Sequence, residues 1–301
     1  MKRWIGRGRV YGVFWRQLLR LAVLNCPPFV EPTVMAWWSA FFLLWGPGRR
    51  GVMRNLSIIK PGSWAITNFF RTYRVFWNFA WTITDNARFR ELAITPDWHF
   101  KGLEHLAELE SRPGGAIILT AHMGSYDLGA NVFSTVSSRQ IVMVRAPETD
   151  PKTQQFESEQ RETGTAETLR VNFNVNSTDL AIELLHAIEA GHLIAIQGDR
   201  VTSGVASVNV KFFGRTVPLP AGPFALAMAS RAPIYPLFII RGGRRRYVLQ
   251  TCPPITVERR SRNRDEDLRA AVQAWAQQLE TVVASQWQQW FTFEPFAPEL
   301  A

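Results

Sequence analysis

The stretch that decides the fold reads Ala116-Ile-Ile-Leu-Thr-Ala-His-Met-Gly-Ser-Tyr-Asp127. It begins with an apolar run of the length and composition typical of a strand buried on both faces. From about Tyr126 to Ser138 the spacing of the apolar residues indicates a helix instead. His122 therefore stands where a buried strand has just ended and a helix is about to begin.

A carboxylate follows this histidine five positions later. Five residues of a regular helix turn two side chains about 140° apart, so His122 and Asp127 meet only if His122 precedes the helix and Asp127 lies in its first turn. Ser125 is a suitable N-cap for such a helix, and a carboxylate is favoured at the positive helix start. We predict that His122 is a general base and that Asp127 orients its imidazole and stabilises its protonated form. The alternative is a structural histidine at a strand end.

Strand and helix patterns alternate from Trp98 onward. The predicted fold class is α/β, with a mixed, largely parallel sheet flanked by helices. The predicted regions are an N-terminal membrane-associated helical region, residues 1–95, and an α/β domain, residues 96–301. Helices are predicted at 51–59, 64–85, 103–110, 125–138, 153–168, 178–190, 222–231 and 265–290, and strands at 98–101, 116–121, 140–144, 170–174, 193–197, 208–213, 216–219, 234–240 and 246–251.

A second polar group follows another predicted strand, where Gln197-Gly-Asp-Arg200 comes directly after Leu193-Ile-Ala-Ile196. Sites in α/β sheets form at the carboxyl ends of strands, so Asp199 and Arg200 are candidates to contact a ligand. The alternative is a turn closed by an Asp–Arg pair. Farther on, Gly222 opens a predicted helix whose first N–H groups are suited to an anion, or it is an ordinary helix start.

The net charge of +9 is confined to one part of the chain. Residues 1–60 hold ten basic side chains and a single acidic one, Glu31, whereas the remainder is balanced. Nine of the twelve Trp residues lie in the first 98 positions. Basic residues attract anionic headgroups and Trp favours the membrane–water interface, so this region predicts a membrane surface as the partner. A nucleic-acid protein would more often spread its basic residues over a face of its folded domain.

The N-terminal region is too interrupted to predict a membrane span. Its longest apolar run, from Thr33 to Trp45, has 13 residues, fewer than the roughly 20 that a spanning helix needs. The preceding segment carries Arg16 and Arg20 among apolar residues, which indicates an amphipathic helix lying in the interface. We predict monotopic attachment to the cytoplasmic face of the inner membrane. Two helices packed on the protein's own core, and a true span, are the alternatives.

Several functional classes are not expected. Cys26 and Cys252 form neither a disulfide framework nor a zinc pattern, and the sequence has no phosphate-binding glycine fingerprint and no serine nucleophile elbow. No metal or cofactor is therefore expected, and the composition suits a reducing compartment. The basic run from Arg241 to Arg246 is interpreted as a solvated turn.

Four segments, in this order, carry a resemblance to a known family. The chain resembles the lysophospholipid acyltransferase-like superfamily, and within it the bacterial lipid A late acyltransferases, the lauroyl/myristoyl transferase family, over roughly residues 10–295. The residues concerned are Arg50-Gly-Val-Met-Arg-Asn-Leu56, His122-Met-Gly-Ser-Tyr-Asp127, Phe212-Phe-Gly214 with Pro220-Ala-Gly222 and Leu226-Ala227, and Trp287-Gln-Gln-Trp-Phe291.

The resemblance implies a glycerolipid acyltransferase-like fold and an acyltransferase. The acyl donor would be a thioester of acyl carrier protein or coenzyme A, and the acceptor a lipid or glycolipid hydroxyl, first a lipid A precursor. Gly-Asp-Arg stands where the family usually has Asp-Gln, so an aminolipid or lysophospholipid acceptor stays open. The implied acceptor or phosphate contacts are Arg145, Asp199, Arg200 and Lys211.

Three rival functions remain open at the level of the sequence. The same fold is compatible with a non-enzymatic membrane-surface protein. The predicted pair of His122 and Asp127 is also compatible with a hydrolase that uses water as its acceptor. The basic N-terminus is compatible with nucleic-acid binding.

Overall fold

The computed structural model describes residues 13–46, 48–126, 128, 129, 133, 137, 139–145, 169–173, 178–201 and 204–297. The helix predicted at 153–168 lies outside these residues. Six residues of the helix predicted at 125–138 are described. Tyr126, Leu128, Gly129 and Phe133 are helical, whereas Ser125 and Ser137 are not.

Four helices precede the first strand. They are α1 (Val13–Asn25), α2 (Glu31–Trp45), α3 (Arg49–Ile59) and α4 (Ala65–Leu92). The first three pack against α4. Helix α4 continues two turns past the predicted end at residue 85, because Ala87 and Arg88 are also buried there. None of the described helices combines the length and apolarity needed to cross a bilayer.

The sheet has seven strands. They are β1 (Asp97–Lys101), β2 (Ala116–Thr120), β3 (Ile141–Arg145), β4 (Leu169–Phe173), β5 (Leu193–Gln197), β8 (Ile234–Gly243) and β9 (Arg246–Thr251), in the spatial order β1-β9-β8-β2-β5-β3-β4. Neighbouring strands are parallel except for the β8–β9 pair. A separate hairpin is made by β6 (Ser207–Phe212) and β7 (Arg215–Pro220). The predicted fold class is confirmed.

Helices cover both faces of this sheet. They are α5 (Leu103–Ser111), α6 (Thr178–Glu189), α7 (Gly222–Ser230) and α8 (Arg264–Gln286), the last followed by a 3₁₀ turn, Trp287–Gln289. Consecutive residues of β2 point into different cores. Ile117 packs in the core that includes residues of α6, α7 and α8, and Ile118 in the one that includes α5 residues. The apolar run in β2 is continuous because both of its faces are buried.

Polar contacts join the N-terminal helices to the β8–β9 hairpin. Glu31 of α2 accepts from both Arg88 of α4 and Arg244. Asp85 of α4 accepts from the hydroxyl of Tyr247 at 2.8 Å and lies 3.6 Å from Nε of Arg241. The interpretation of Arg241 to Arg246 as a solvated turn is therefore wrong for Arg241, whose side chain is largely buried next to Asp85. Arg244 does lie exposed in a turn, and it also donates to a carboxylate on α2.

Candidate active site

Two side chains from neighbouring parallel strands meet at the carboxyl edge of the sheet. In the β2–β5 pair, the last residues, Thr120 and Gln197, stand opposite each other. His122 and Asp199 each follow two positions later. Because the strands run in the same direction, equal offsets bring these residues side by side. They are 77 positions apart in sequence and adjacent in space.

The contact between them is close. Nδ1 of His122 lies 2.7 Å from Oδ1 of Asp199, and the backbone N–H of His122 donates to Oδ2 at 3.1 Å. The indole N–H of Trp290 also donates to Oδ2, at 2.8 Å. The Asp199 side chain is completely buried, whereas 28% of the His122 side chain remains exposed. One member of the pair is held inside the protein and the other reaches the surface.

The surroundings of Asp199 decide its charge. Burial alone would raise the pKa of this carboxyl group. The charge of His122, its hydrogen bond, the charge of Arg200 and the Trp290 hydrogen bond outweigh burial and hold this pKa well below its ordinary value. An ionised carboxylate can only accept hydrogen bonds, so Nδ1 of His122 is the donor. In the neutral imidazole, Nε2 is then left with a lone pair available to take a proton.

The turn after β2 requires a glycine. Gly124 has a φ of +53°, in the left-handed region. A Cβ atom there would stand 1.8 Å from the backbone oxygen of Ile239 in β8. The glycine therefore lets the chain turn away directly after His122 while passing close to the neighbouring strand.

A segment from the far end of the chain closes this turn, and we name residues 287–292 the C-terminal strap. Met123 forms a backbone bridge with Trp290, and the N–H of Phe291 donates to the carbonyl of His122 at 2.8 Å. The strap is itself held by Gln289, whose side chain accepts from the backbone N–H of Arg241 and donates to its carbonyl. The strap therefore fixes the backbone at the histidine and directly after it.

An apolar cavity lies near the pair, between the sheet and the described helical residues Tyr126, Gly129 and Phe133. Its walls include Ile118, Ala195 and Ile239 from three strands, and Phe133 from above. Tyr126 lines the cavity and also stands next to His122, with 6.2 Å between the ring centroids. Tyr126 therefore links the cavity to the exposed imidazole, which is not itself among the lining residues.

The predicted site residues fall in different places. Asp127 lies outside the described residues, so its predicted pairing with His122 stays a prediction. Arg145 ends β3 at the carboxyl edge of the sheet, and its side chain is outside the description. Arg200 is exposed and donates to the carbonyl of Phe291 at 3.1 Å. Asp199, predicted to contact the acceptor, is bonded to His122 and Trp290 instead of facing solvent.

The remaining two candidates lie on other elements. Lys211, on the β6–β7 hairpin, donates from Nζ to Thr216 at 2.9 Å. Gly222 is the first residue of α7 and is exposed. Neither of these positions brings a contact to the His122–Asp199 pair. Within the described part of the chain, no cluster of His, Cys, Asp and Glu is suited to a metal ion.

Sequence reasoning missed two features of the site. It proposed neither the pairing of Asp199 with His122 nor the hydrogen bond of Trp290. A usable signal existed for the first, since both residues follow buried strands of equal length at the same offset. For the second, the aromatic segment 287–291 was singled out, but nothing local indicates that it returns to the end of β2.

The sequence that forms this site matches a known protein family. The family model described as bacterial lipid A biosynthesis acyltransferase matches residues 66–295, well over half of the chain. A search of curated proteins found none that matches it. The matched residues include His122, Asp199 and the whole C-terminal strap. The chain belongs to the bacterial lipid A biosynthesis acyltransferase family.

Proposed function

We propose that this member of an acyltransferase family moves a fatty acyl chain from a thioester, carried by acyl carrier protein or coenzyme A, to a hydroxyl group of a lipid or glycolipid. The acceptor proposed first is a lipid A precursor. One observation carries the proposal: a buried, ionised carboxylate holds Nδ1 of an exposed histidine beside an apolar cavity. This arrangement presents a base to a hydroxyl group and an apolar wall to a hydrocarbon chain.

In the proposed reaction, Nε2 of His122 removes the proton of the acceptor hydroxyl as its oxygen attacks the thioester carbonyl carbon. The carbon–sulfur bond then breaks, and the proton passes from His122 to the departing thiolate. The products are an ester and a free thiol, so atoms and charges balance. Asp199 stabilises the imidazolium that forms between the two proton transfers, and general base catalysis of this kind contributes typically ~10²–10⁴-fold.

Direct transfer is favoured over an acyl-enzyme by the state of Ser125, the serine closest to His122 in the sequence. Ser125, three residues after His122, is 1% exposed, and its hydroxyl donates to the side-chain oxygen of Asn86. A nucleophile must reach the substrate carbonyl, and this serine faces the protein interior instead. The predicted role of Asp127 belongs to the same proposal, as a second carboxylate near the base. Arg145, Arg200, Lys211 and Gly222 remain proposed substrate contacts.

The cavity is proposed to hold the part of the acyl chain next to the carbonyl. Its apolar walls exclude water from hydrocarbon and place the chain next to Tyr126 and His122. Replacing Ala195 by Leu would fill part of this space. We expect Ala195→Leu to lower transfer from long-chain donors more than from short-chain donors. Ala229→Leu, on an exposed position of α7, is the matched control.

Monotopic attachment to the cytoplasmic face of the inner membrane completes the proposal, with residues 1–95 as the membrane-facing region and 96–301 as the α/β domain. Large apolar side chains are exposed on the N-terminal helices and in their connections, among them Phe29 at 83%, Trp37 at 75% and Trp64 at 80%. Exposed apolar groups of this size, next to basic residues, match a bilayer interface.

Sedimentation tests the attachment. The protein should sediment with membranes, loosen only partly in high salt and dissolve in detergent, because salt screens charge but not apolar burial. Trp37→Ala with Trp45→Ala should make salt release complete, whereas Leu103→Ala, an exposed apolar change on α5, should not. Complete release of the wild-type protein by salt would contradict the attachment.

Acyl transfer itself is tested with purified protein, acyl thioesters and candidate acceptors, followed by mass spectrometry of the lipid products. An acyl ester that forms only when both donor and acceptor are present supports transfer. Free fatty acid released at the same rate without acceptor would identify a hydrolase. If neither acyl ester nor free fatty acid forms with either thioester and any acceptor class, the protein would be a non-enzymatic membrane protein.

A further inference from the structure

The side chain of Trp290 packs in the core and also makes a directed hydrogen bond to the His122–Asp199 pair. The indole ring is 4% exposed and packs against Phe212 and Phe296. Its N–H, however, is directed at Oδ2 of Asp199, 2.8 Å away. A hydrogen bond to an ionised group is stronger than one between neutral groups. The direction of this bond therefore bears on how the carboxylate is held.

We propose that Trp290 is a positioning residue for the acyl transfer, and that its indole N–H holds the Asp199 carboxylate in the orientation that keeps the proton of His122 on Nδ1. The inference rests on the proposed role of His122 as the base. With Oδ2 held by Trp290 and by the backbone N–H of His122, Oδ1 remains facing Nδ1.

The rest of the C-terminal strap supports this role, because it leaves the indole little freedom to move. Residues on both sides of Trp290 bond to the turn that carries His122, through Gln289 to Gly124 and through Phe291 to His122 itself. The base, its carboxylate and the tryptophan are therefore fixed to one another through both side chains and backbone. Removal of the N–H leaves Oδ2 with the 3.1 Å backbone contact, from which the carboxylate can rotate.

The chain offers a matched control for this test. Trp275 is also fully buried, and its indole N–H donates at 2.9 Å to the backbone carbonyl of Gly198, the residue before Asp199. Trp290→Phe and Trp275→Phe each remove one buried indole hydrogen bond near the same turn. One bond ends on the carboxylate and the other on the backbone, so a general loss of stability would appear in both variants.

Two measurements read the outcome. We expect Trp290→Phe to lower kcat about tenfold with little change in KM. Loss of a hydrogen bond to a charged group typically changes an equilibrium or rate constant by about tenfold or more. In protein labelled with ¹⁵N-histidine, assigned with His122→Gln, the Nδ1–H tautomer signal of His122 should weaken in Trp290→Phe and persist in Trp275→Phe. In an Asp199→Asn background, Trp290→Phe should cause no further fall in kcat.

Other results would overturn the inference. Equal tautomer signals in the two tryptophan variants, or an undiminished fall in kcat in the Asp199→Asn background, would make Trp290 structural only. If Trp290→Phe does not fold, benzothienylalanine at position 290 keeps the bicyclic ring and lacks the N–H. A wild-type protein without acyl transfer would contradict the proposed function, while the tautomer signals would still test the hold of Trp290 on Asp199.

Discussion

Two buried aspartates have pKa values shifted in opposite directions. Asp199, beside His122, has a pKa well below its ordinary value, whereas burial raises the pKa of Asp85 on α4. Asp199 receives three close N–H contacts and lies near Arg200. Asp85 accepts from the Tyr247 hydroxyl, Arg241 stands 3.6 Å away, and its Oδ1 atom has no hydrogen-bond partner. Burial therefore does not by itself decide whether a carboxyl group is ionised. The hydrogen-bond donors and charges around the group decide it.

The largest expected effect separates these two carboxylates. Asp199→Asn should lower kcat by about 10³-fold or more, because an amide facing Nδ1 favours the wrong imidazole tautomer. His122→Gln should remove the base itself. Asp85→Asn should leave kcat near the wild-type value, since Asp85 contacts Tyr247 rather than the dyad. Transfer assays on folded protein check all three, and equal losses in Asp199→Asn and Asp85→Asn would break the comparison.

The second effect concerns Asp127, the carboxylate predicted from the sequence motif. Asp127→Asn should lower kcat by at least about tenfold, as expected for a group that supports a general base. Steady-state kinetics with saturating donor and acceptor measure this effect. Retention of most of the wild-type activity would leave Asp199 as the carboxylate partner of His122 and remove Asp127 from the proposed mechanism.

The residues of the site show what a sequence can predict. The strands before His122 and Asp199 were predicted correctly, because buried parallel strands are short apolar runs with polar residues directly after them. Their pairing was not predicted, because the sequence does not reveal the strand order. In the sheet β5 lies between β2 and β3, although it follows β3 and β4 in the chain. Arg241 was misjudged for the same reason: its carboxylate partner, Asp85, lies on a helix that precedes it by more than 150 residues. Local patterns reveal elements, whereas contacts between distant elements depend on strand order.

The third effect concerns Arg200, which stands beside Asp199 but is exposed. Arg200→Ala should lower kcat/KM for the acceptor about 10- to 100-fold, the range for loss of a charged hydrogen bond, and affect the donor less. Arg259→Ala, which removes an exposed arginine from another loop, controls for net charge. Unchanged acceptor kinetics would restrict Arg200 to its hydrogen bond with Phe291.

The smallest effects are on the free energy of unfolding. The contributions of Asp85 and Asp199 to it should change with pH in opposite directions. Folded Asp85 keeps a proton that the unfolded chain has lost, so its contribution to stability falls as pH rises above the ordinary value of 3.8. Folded Asp199 holds its proton more weakly, so its contribution is present above that pH and is lost as pH falls through the acid range. Denaturant midpoints across pH, compared between wild type and each Asn variant, measure both. Parallel pH dependences would contradict the contrast.

The C-terminal strap also sets the order in which the site can be completed. His122 and Asp199 are synthesised well before Trp290, and domains begin to fold while synthesis continues. Until residues 287–292 have left the ribosome, the turn that carries His122 lacks the backbone partners that hold it. A nascent chain that has already formed its sheet therefore still has an unfinished site. Completion of the site therefore waits until residues 287–292 have been made, after the basic and aromatic N-terminal helices have emerged.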